Sequence, residues 1–596
     1  MALAPDPIHR VLHDVPGFRA TDPAPQTRWW QRPWIQCVAL LALVLGATGG
    51  VVFHRVWLQD ESPIIQNYSL VHGLSGLWRP FTIPYWPPPF SPSLYRPFSL
   101  AFFTLQWAAG DGSIWVFHLL NLVLYALSVT VVWRFARLLM PAAGAWISAA
   151  LFAIHPVHVE AVALSVNQSE ALVGILLVSA TAAYVDWRRH GNAGATAPST
   201  ILAIYLAGCL VKESALVLPG LLLAAELTII DDPTPLRQRV AALRPWGLGL
   251  VGIAAVFMGI RTLVLRGIAG TFMAEGLVGL TWPGRVLTML GVVPRWAALV
   301  FWPAHLQEDY SPGEIIGTDH WGPDQVIGAL ILVVTIVLLV RSWRRNRVAA
   351  FGILWFFVAI FPVSNVVVPT GIILAERTLF LPTVGSMLAL GALVAPIGAW
   401  CAGISRPWLT RAAVGATALL IAVGLARSNV RMRIWRDPRS LWSQSMLDAP
   451  DSWRVNEAFA YMLGRIGEPD RFVHYMRQAI AENGRSARLN AYLANWFRHR
   501  NDCVSAGPLY DESVRLDPSN ELVRASQLAC LLATPDYSRA RRVATVGRAY
   551  LPDSRVLARF QAMSESLAVA DPERHGVKVT IDSLDPGLVK VIGPAH

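Results

Sequence analysis

Between residues 34 and 426 the chain is a succession of apolar runs separated by short polar loops. A helix needs about 20 apolar residues to cross the hydrocarbon core of a bilayer, and several of these runs approach that length. Within lipid every backbone polar group must be satisfied inside the segment, so such runs can only be helices. Spans are expected at 34–53, 114–133, 142–160, 168–187, 200–213, 214–230, 246–265, 326–341, 349–367, 380–400 and 409–426, about eleven in all. The expected class is all-α: a polytopic membrane helical bundle followed by a helical solenoid.

Charge threads the bundle. The net charge is +11, and the 50 basic residues are arginines apart from Lys212, Lys578 and Lys590. Many sit in short clusters between apolar runs, which is the footprint of positive-inside topology rather than of nucleic-acid binding. Residues 1–33 are polar and proline-rich, so the run 34–53 reads as an uncleaved anchor with a cytoplasmic N-terminal segment. A long outer loop, 54–113, follows. Arg134, Arg137, Arg188, Arg189, Arg237, Arg239, Arg244, Arg341, Arg344, Arg345, Arg347, Arg406 and Arg411 then fall in cytoplasmic loops. Residues 200–230 are too long for one straight span, and a hairpin turning at Lys212–Ser214 is expected. The run 282–304 carries Arg285 and Arg295 and reads as re-entrant or as lying in the outer interface; the short run 99–110 reads as lying flat on the outer surface.

An odd number of spans puts the C-terminal half outside, and that half repeats. Pro450, Gly484, Pro518 and Pro552 are spaced by 34 residues, and Ala506 and Ala540 keep the same step, as do Gly467 and Asn501. A period of 34, with a helix breaker and a small residue inside the second helix, is the tetratricopeptide signature. The domain reading is a membrane domain over 34–427, repeats over 428–570 and a tail over 571–596 with no readable task. The solenoid is expected to bind a protein partner. Cys503 and Cys530 could meet across neighbouring repeats, but a disulfide between them is not expected. The five cysteines have no metal-ligand spacing.

Polar groups at membrane depth are costly and mark function. Four clusters fall on the outer side: Asp60 and Glu61 in "WLQDESP", His155, His158 and Glu160 in "HPVHVE", Lys212 and Glu213 in "LVKESA", and Glu376 and Arg377 in "LAERTLFLP". Arg96 in "LYRPF" adds a cation. Each alone has a plain reading, as a solvated loop or a pair capping a turn. A zinc site is disfavoured, since HPVHVE is not HExxH and Pro156 disfavours a helical conformation at His155. A divalent metal is compatible with the carboxylates but not predicted. Their convergence on one leaflet suits sugar transfer from a lipid phosphate. Cations hold the phosphate as leaving group, and a carboxylate takes the acceptor's proton. Prolines and aromatics of the long loop, among them Tyr85 and Trp86, offer stiff surfaces for a glycan or acceptor.

The order of acidic pair, "YRP", "HPVHVE", "KE", "FPVSN", "AER…LP" and repeats resembles the transmembrane and tetratricopeptide-repeat O-mannosyltransferases and their bacterial relatives, of the GT-C glycosyltransferase class. The resemblance covers roughly residues 34–550. It implies a bacterial plasma-membrane enzyme that moves a sugar, mannose in the named family, from a polyprenyl-phosphate donor to a hydroxyl of a protein or glycan acceptor. It maps the catalytic acid onto Asp60, with Glu61 beside it. It points to His155, His158, Glu160, Lys212, Glu213, Glu376 and Arg377 as substrate-site residues, and the loop cation Arg96 is placed with them as substrate-binding. The acidic pair departs from the family's usual Asp-Asp, and "SVNQSE" lacks the basic residue expected there. Two rivals stand beside this reading: a lipid-linked glycan ligase or polymerase, and a non-enzymatic scaffold or transporter whose repeats dock partners.

Overall fold

The computed structural model describes residues 32–88, 90, 92–190, 196–267, 273–310, 313–403 and 407–570. The readings placed on residues 1–31, on Arg406 and on the tail 571–596 lie outside the described residues.

The described residues are helical, without strands. In the membrane half the helices are α1 (Pro33–Thr48), α2 (Pro97–Gly110), α3 (Ile114–Leu139), α4 (Ala142–Ala153), α5 (Val159–Ala163), α6 (Gln168–His190), α7 (Thr196–Val211), α8 (Leu218–Thr228), α9 (Leu236–Ala242), α10 (Arg244–Leu265), α11 (Trp282–Phe301), α12 (Pro323–Arg345), α13 (Arg347–Ile360), α14 (Phe380–Gly391), α15 (Val394–Gly403) and α16 (Pro407–Ile434). Among the described residues 8 helices are long and apolar enough to cross a membrane, or 9 if the bent pair α4–α5 is one span. The expected spans at 200–213 and 349–367 are shorter apolar helices, and 214–230 is reduced to α8 behind a short 3-10 turn.

The bundle has two distinguishable ends. At one, the arginines meet carboxylates. Arg188 pairs with Glu226 and Asp232, Arg239 with Glu226, and Arg347 with Asp231. The other end carries the sequence-predicted site clusters and is called the site face here. The hairpin over 196–228 turns there as expected. Pro198 and Glu226 touch the arginine end, while Ala215 folds back onto Gly208 beyond Lys212. Helix α2 lies along the site face. Its Ser99 bonds Val211 O, and its Gln106 bonds Gln168 at the start of α6.

Helix α11 passes as a span by length and composition, yet both its ends lie on the site face. Trp282 donates to Val366 O, just past α13. At the far end Val300 O meets His155, and Ala304 O accepts from Arg427. Both of its ends therefore meet residues of the site face. It rests on α12, where a Cβ on Gly328 would stand 2.0 Å from Leu290 O; only glycine allows that approach. In α12 itself, only Gln325 and Gly328 are buried. Val326, Leu330, Val333, Val337 and Val340 are about half exposed, which marks a helix whose solvent is lipid.

The chain leaves the membrane half through α16, which runs unbroken to Ile434. Helices α17 (Pro438–Asp448), α18 (Trp453–Arg465), α19 (Pro469–Glu482), α20 (Ala487–Arg498), α21 (Cys503–Leu516), α22 (Glu521–Ala533), α23 (Tyr537–Tyr550) and α24 (Arg555–Ala570) follow as helical repeats. The 34-residue period has a direct cause. Pro450, Gly484, Pro518 and Pro552 occupy the turns before α18, α20, α22 and α24. Gly467 and Asn501 take positive φ (83° and 58°) in the turns that follow α18 and α20. Ala506 and Ala540 are fully buried where helices touch; Phe472, at the equivalent step, is buried and stacks on Trp496. Cys503 and Cys530 are joined in a disulfide, with Cα atoms 5.2 Å apart, which corrects the expectation that they stay free. Antiparallel packing of α21 and α22 brings the first residue of one beside the last turns of the other.

Candidate active site

Helix α1 ends in a 3-10 turn at Phe53, and the chain then reaches Asp60 through a left-handed residue, Gln59 (φ 44°). The two acids of the pair have opposite fates. Asp60 is exposed, and Glu61 is fully buried. Glu61 Oε2 accepts from Leu58 N (2.8 Å) and Oε1 from Ser165 N (2.6 Å). It pins the first loop to the segment between α5 and α6. Burial pushes its carboxyl up to about 7 despite those donors. Water reaches Asp60, but protein crowds the carboxyl enough that desolvation raises its pKa; Arg377 opposes the rise and Glu160 adds to it.

The histidine motif folds as its proline requires. His155 is extended (ψ 121°) and caps a 3-10 turn at Pro156–His158, bending the α4–α5 pair by 51°. His155 Nε2 meets Val300 O at 2.9 Å. His158 is fully buried, with Nδ1 beside Tyr125 and Phe152 O and Nε2 beside Thr383 (2.8 Å). Both nitrogens are thus committed to the protein, and His158 locks α3, α4 and α14 together. Glu160, also buried, accepts from the backbone N of Arg377 (2.9 Å) and pairs with its guanidinium. The bend at Pro156 therefore serves to carry Glu160 to Arg377. The Arg377 side chain stays 24% exposed.

The other cations are held in the same way. Arg96 grips Glu213 with two bonds, Nε to Oε2 at 3.0 Å and NH2 to Oε1 at 2.6 Å. Lys212 pairs with Glu170. Arg96 also stands over the Tyr85 ring at 5.4 Å. The groups form one electrostatic neighbourhood: Asp60, Arg96, Glu213 and Arg377 all act on Tyr85, and Glu170 acts on both Arg96 and Arg377. Glu376 points away from its neighbour Arg377. It is fully buried and accepts from Tyr310 (3.0 Å) and Arg431 (3.1 Å), the latter also buried. Removing one partner of such a pair costs about 3–5 kcal/mol, because the other charge is left stranded.

The structure thus gathers Asp60, Arg96, Glu160, Lys212, Glu213 and Arg377 around one region of the site face, and sets Glu61, His155, His158 and Glu376 behind them as supports. It adds residues that the sequence reading did not select: Glu170, Arg431, Tyr310 and Glu308. Glu308 accepts a hydrogen bond from the Gln59 side chain and lies in the fields of Glu160 and Arg377. Burial, then the neighbouring Asp309 and Glu160 carboxylates, push it up to about 8. A usable signal existed: "HLQEDY" places an acidic pair just past an apolar run, as "WLQDES" does. Among the described residues no group of three or more His, Cys, Asp or Glu side chains is placed to hold a metal ion.

No protein-family profile matches the chain. It is similar to animal proteins named as protein O-mannosyl-transferases. Identity is 23% over 514 residues with Drosophila melanogaster Tmtc3, covering 74% of this chain and 54% of that protein. It is 24% over 476 residues with human TMTC1, covering 72% and 53%, and 24% over 375 residues with mouse TMTC3, covering 58% and 40%. The chain spans about half the length of these relatives.

Proposed function

We propose that this chain is a GT-C type membrane glycosyltransferase. It moves a single sugar, mannose, from a polyprenyl-phosphate donor to a hydroxyl of a protein acceptor, at the outer face of a bacterial plasma membrane. The observation that carries the reading is the clustering of an accessible carboxylate, Asp60, with Arg377, Arg96 and Lys212 on one face of a lipid-embedded bundle. The likeness to proteins named as O-mannosyl-transferases supports it.

The chemistry follows from the arrangement. A lipid phosphate rests at headgroup depth, where these side chains stand. Arg377 offers the N–H groups of its exposed edge to the phosphate and stabilises the charge that grows as the glycosidic bond breaks. Glu160 holds that guanidinium in place beforehand, so little reorganisation accompanies the reaction. Asp60 accepts the acceptor's proton as the hydroxyl oxygen attacks the anomeric carbon. Attack from the face opposite the phosphate inverts that centre. Glu61 and Glu376 take no proton in this scheme; they keep the two reacting segments in register. The disulfide of the repeats supports their outer location, since such bonds persist in oxidising compartments.

The test is a knockout followed by comparative glycoproteomics of the envelope, with the product mass read on the acceptor. Loss of a single hexose on Ser or Thr supports the reading. Loss of a preassembled glycan would move the chain to the ligase class, and an unchanged glycoproteome would favour the scaffold. Topology is tested separately. A reporter active only outside the cytoplasm should be active when fused after Ser440 or Pro552 and silent after Arg189 or Arg345. Cytoplasmic readout at Pro552 would detach the repeats from the outer face.

A further inference from the structure

Residues 307–309 form a short strap between the catalytic loop and the repeats. Three successive side chains alternate. Gln307 Nε2 donates to Asp448 O (3.0 Å), at the end of α17, and to Glu314 (2.6 Å). Glu308 faces the other way and accepts from Gln59, the residue before Asp60. Asp309 turns back to the repeats, where Ser452 Oγ (3.4 Å) and Arg454 (3.9 Å) meet it. Ser452 is the N-cap of α18, the first long helix of the repeats. Nearby, Trp453 Nε1 donates to Glu275 at 2.8 Å. The repeats are thereby tied to the same loops that surround the site.

We infer that Glu308 is a positioning residue for Asp60, and that the 307–309 strap makes the seating of the repeats a determinant of turnover. The inference rests on the reading of Asp60 as the base. Gln59 holds a left-handed backbone that only a few residue types adopt readily. On one side of Asp60, Glu61 is anchored by two backbone donors; on the other, Gln59 has its side chain held by Glu308. Releasing Glu308 leaves Asp60 present but free to swing. Misplacement of a reacting group by about 1 Å can cost about 10²-fold in rate. The donor's phosphate contacts, made by other side chains, are left intact, so the loss falls on kcat and not on KM.

The experiment uses the full chain in detergent or nanodiscs, with polyprenyl-phosphate mannose as donor and a Ser/Thr peptide as acceptor. Glu308→Ala and Gln59→Ala are each expected to lower kcat about 10–10²-fold, with donor KM within about threefold. The double variant should be no worse than about threefold below the lower single, because both cut one link. Glu308→Gln keeps an acceptor oxygen for Gln59 and should recover most of the rate, which separates positioning from misfolding. Gln307→Ala combined with Asp309→Ala should lower kcat about 3–10-fold without moving KM. Normal kcat in Glu308→Ala beside a dead Asp60→Asn would overturn the inference and leave the base standing. Multiplying losses in the double variant would also overturn it, as would a normal rate for the Gln307/Asp309 pair. A normal rate in Asp60→Asn would sink the reading beneath it.

Discussion

Asp60→Asn should insert, fold and bind donor normally, and lose at least about two orders of magnitude in kcat. The substitution keeps the shape and removes the basicity. Asp60 is water-accessible and no fold-holding hydrogen bond depends on it, so stability should scarcely change. The pH profile gives a second readout. A general base works only when deprotonated, so rate falls as pH drops through its pKa. Crowding by protein raises that pKa above the ordinary carboxylate value, so the acid limb should lie at higher pH than for an unperturbed carboxylate base. Glu61→Gln should behave differently. One of its oxygens becomes an amide nitrogen facing a backbone N–H, so it should lower stability and cut rate less than Asp60→Asn. If Glu61→Gln abolishes turnover and Asp60→Asn does not, the two roles are exchanged. Normal turnover in both would leave the acidic pair a solvated loop.

Arg377→Lys is the second large effect. It keeps the charge but loses the planar fork. Donor KM should rise at least about tenfold, since charge-assisted bonds to phosphate are among the strong ones. Arg377→Ala confounds two effects, because it strands Glu160 in a buried position. The combined variant Arg377→Ala with Glu160→Gln removes that penalty. It should restore the unfolding midpoint while leaving donor use defective. Unchanged donor affinity and turnover in the combined variant would make Arg377 a partner of Glu160 only and would move the phosphate site, with Lys212 next in line.

Much of this was legible in the chain. Lipid demands long apolar helices, so α1, α3, α6, α10, α12 and α16 announce themselves by length alone. Asp60 follows α1, while Glu160, Lys212 and Arg377 stand at breaks between other apolar runs, so placing the runs also placed these four on one face. The Pro156 bend was readable from the residue preceding a proline. The 34-residue step was readable because each breaker fills an identical turn. What could not be read were pairings between segments far apart in sequence. Nothing in "SVNQSE" says that Glu170 meets Lys212 42 residues on, and nothing in "AER" says that Glu376 and Arg377 point to opposite sides. The Cys503–Cys530 link depends on how two neighbouring helices are phased, which the residues between them do not encode locally. Glu308 does carry a signal, an acidic doublet just past an apolar run, but the same doublet in a polar loop also fits solvated surface.

The nearly naked helix α12 carries one more consequence. Its 23 residues extend for about 34 Å, close to the hydrocarbon thickness of an ordinary bilayer. A membrane with shorter acyl chains forces a mismatched helix to tilt. Helix α11 cannot slide freely over it, because Gly328 meets the Leu290 backbone without a gap. The end of α11 carries Val300 O, which His155 reaches. Membrane thickness therefore has a mechanical route to the supports of the candidate site. The same polypeptide should turn over at different rates in lipids that differ only in acyl-chain length.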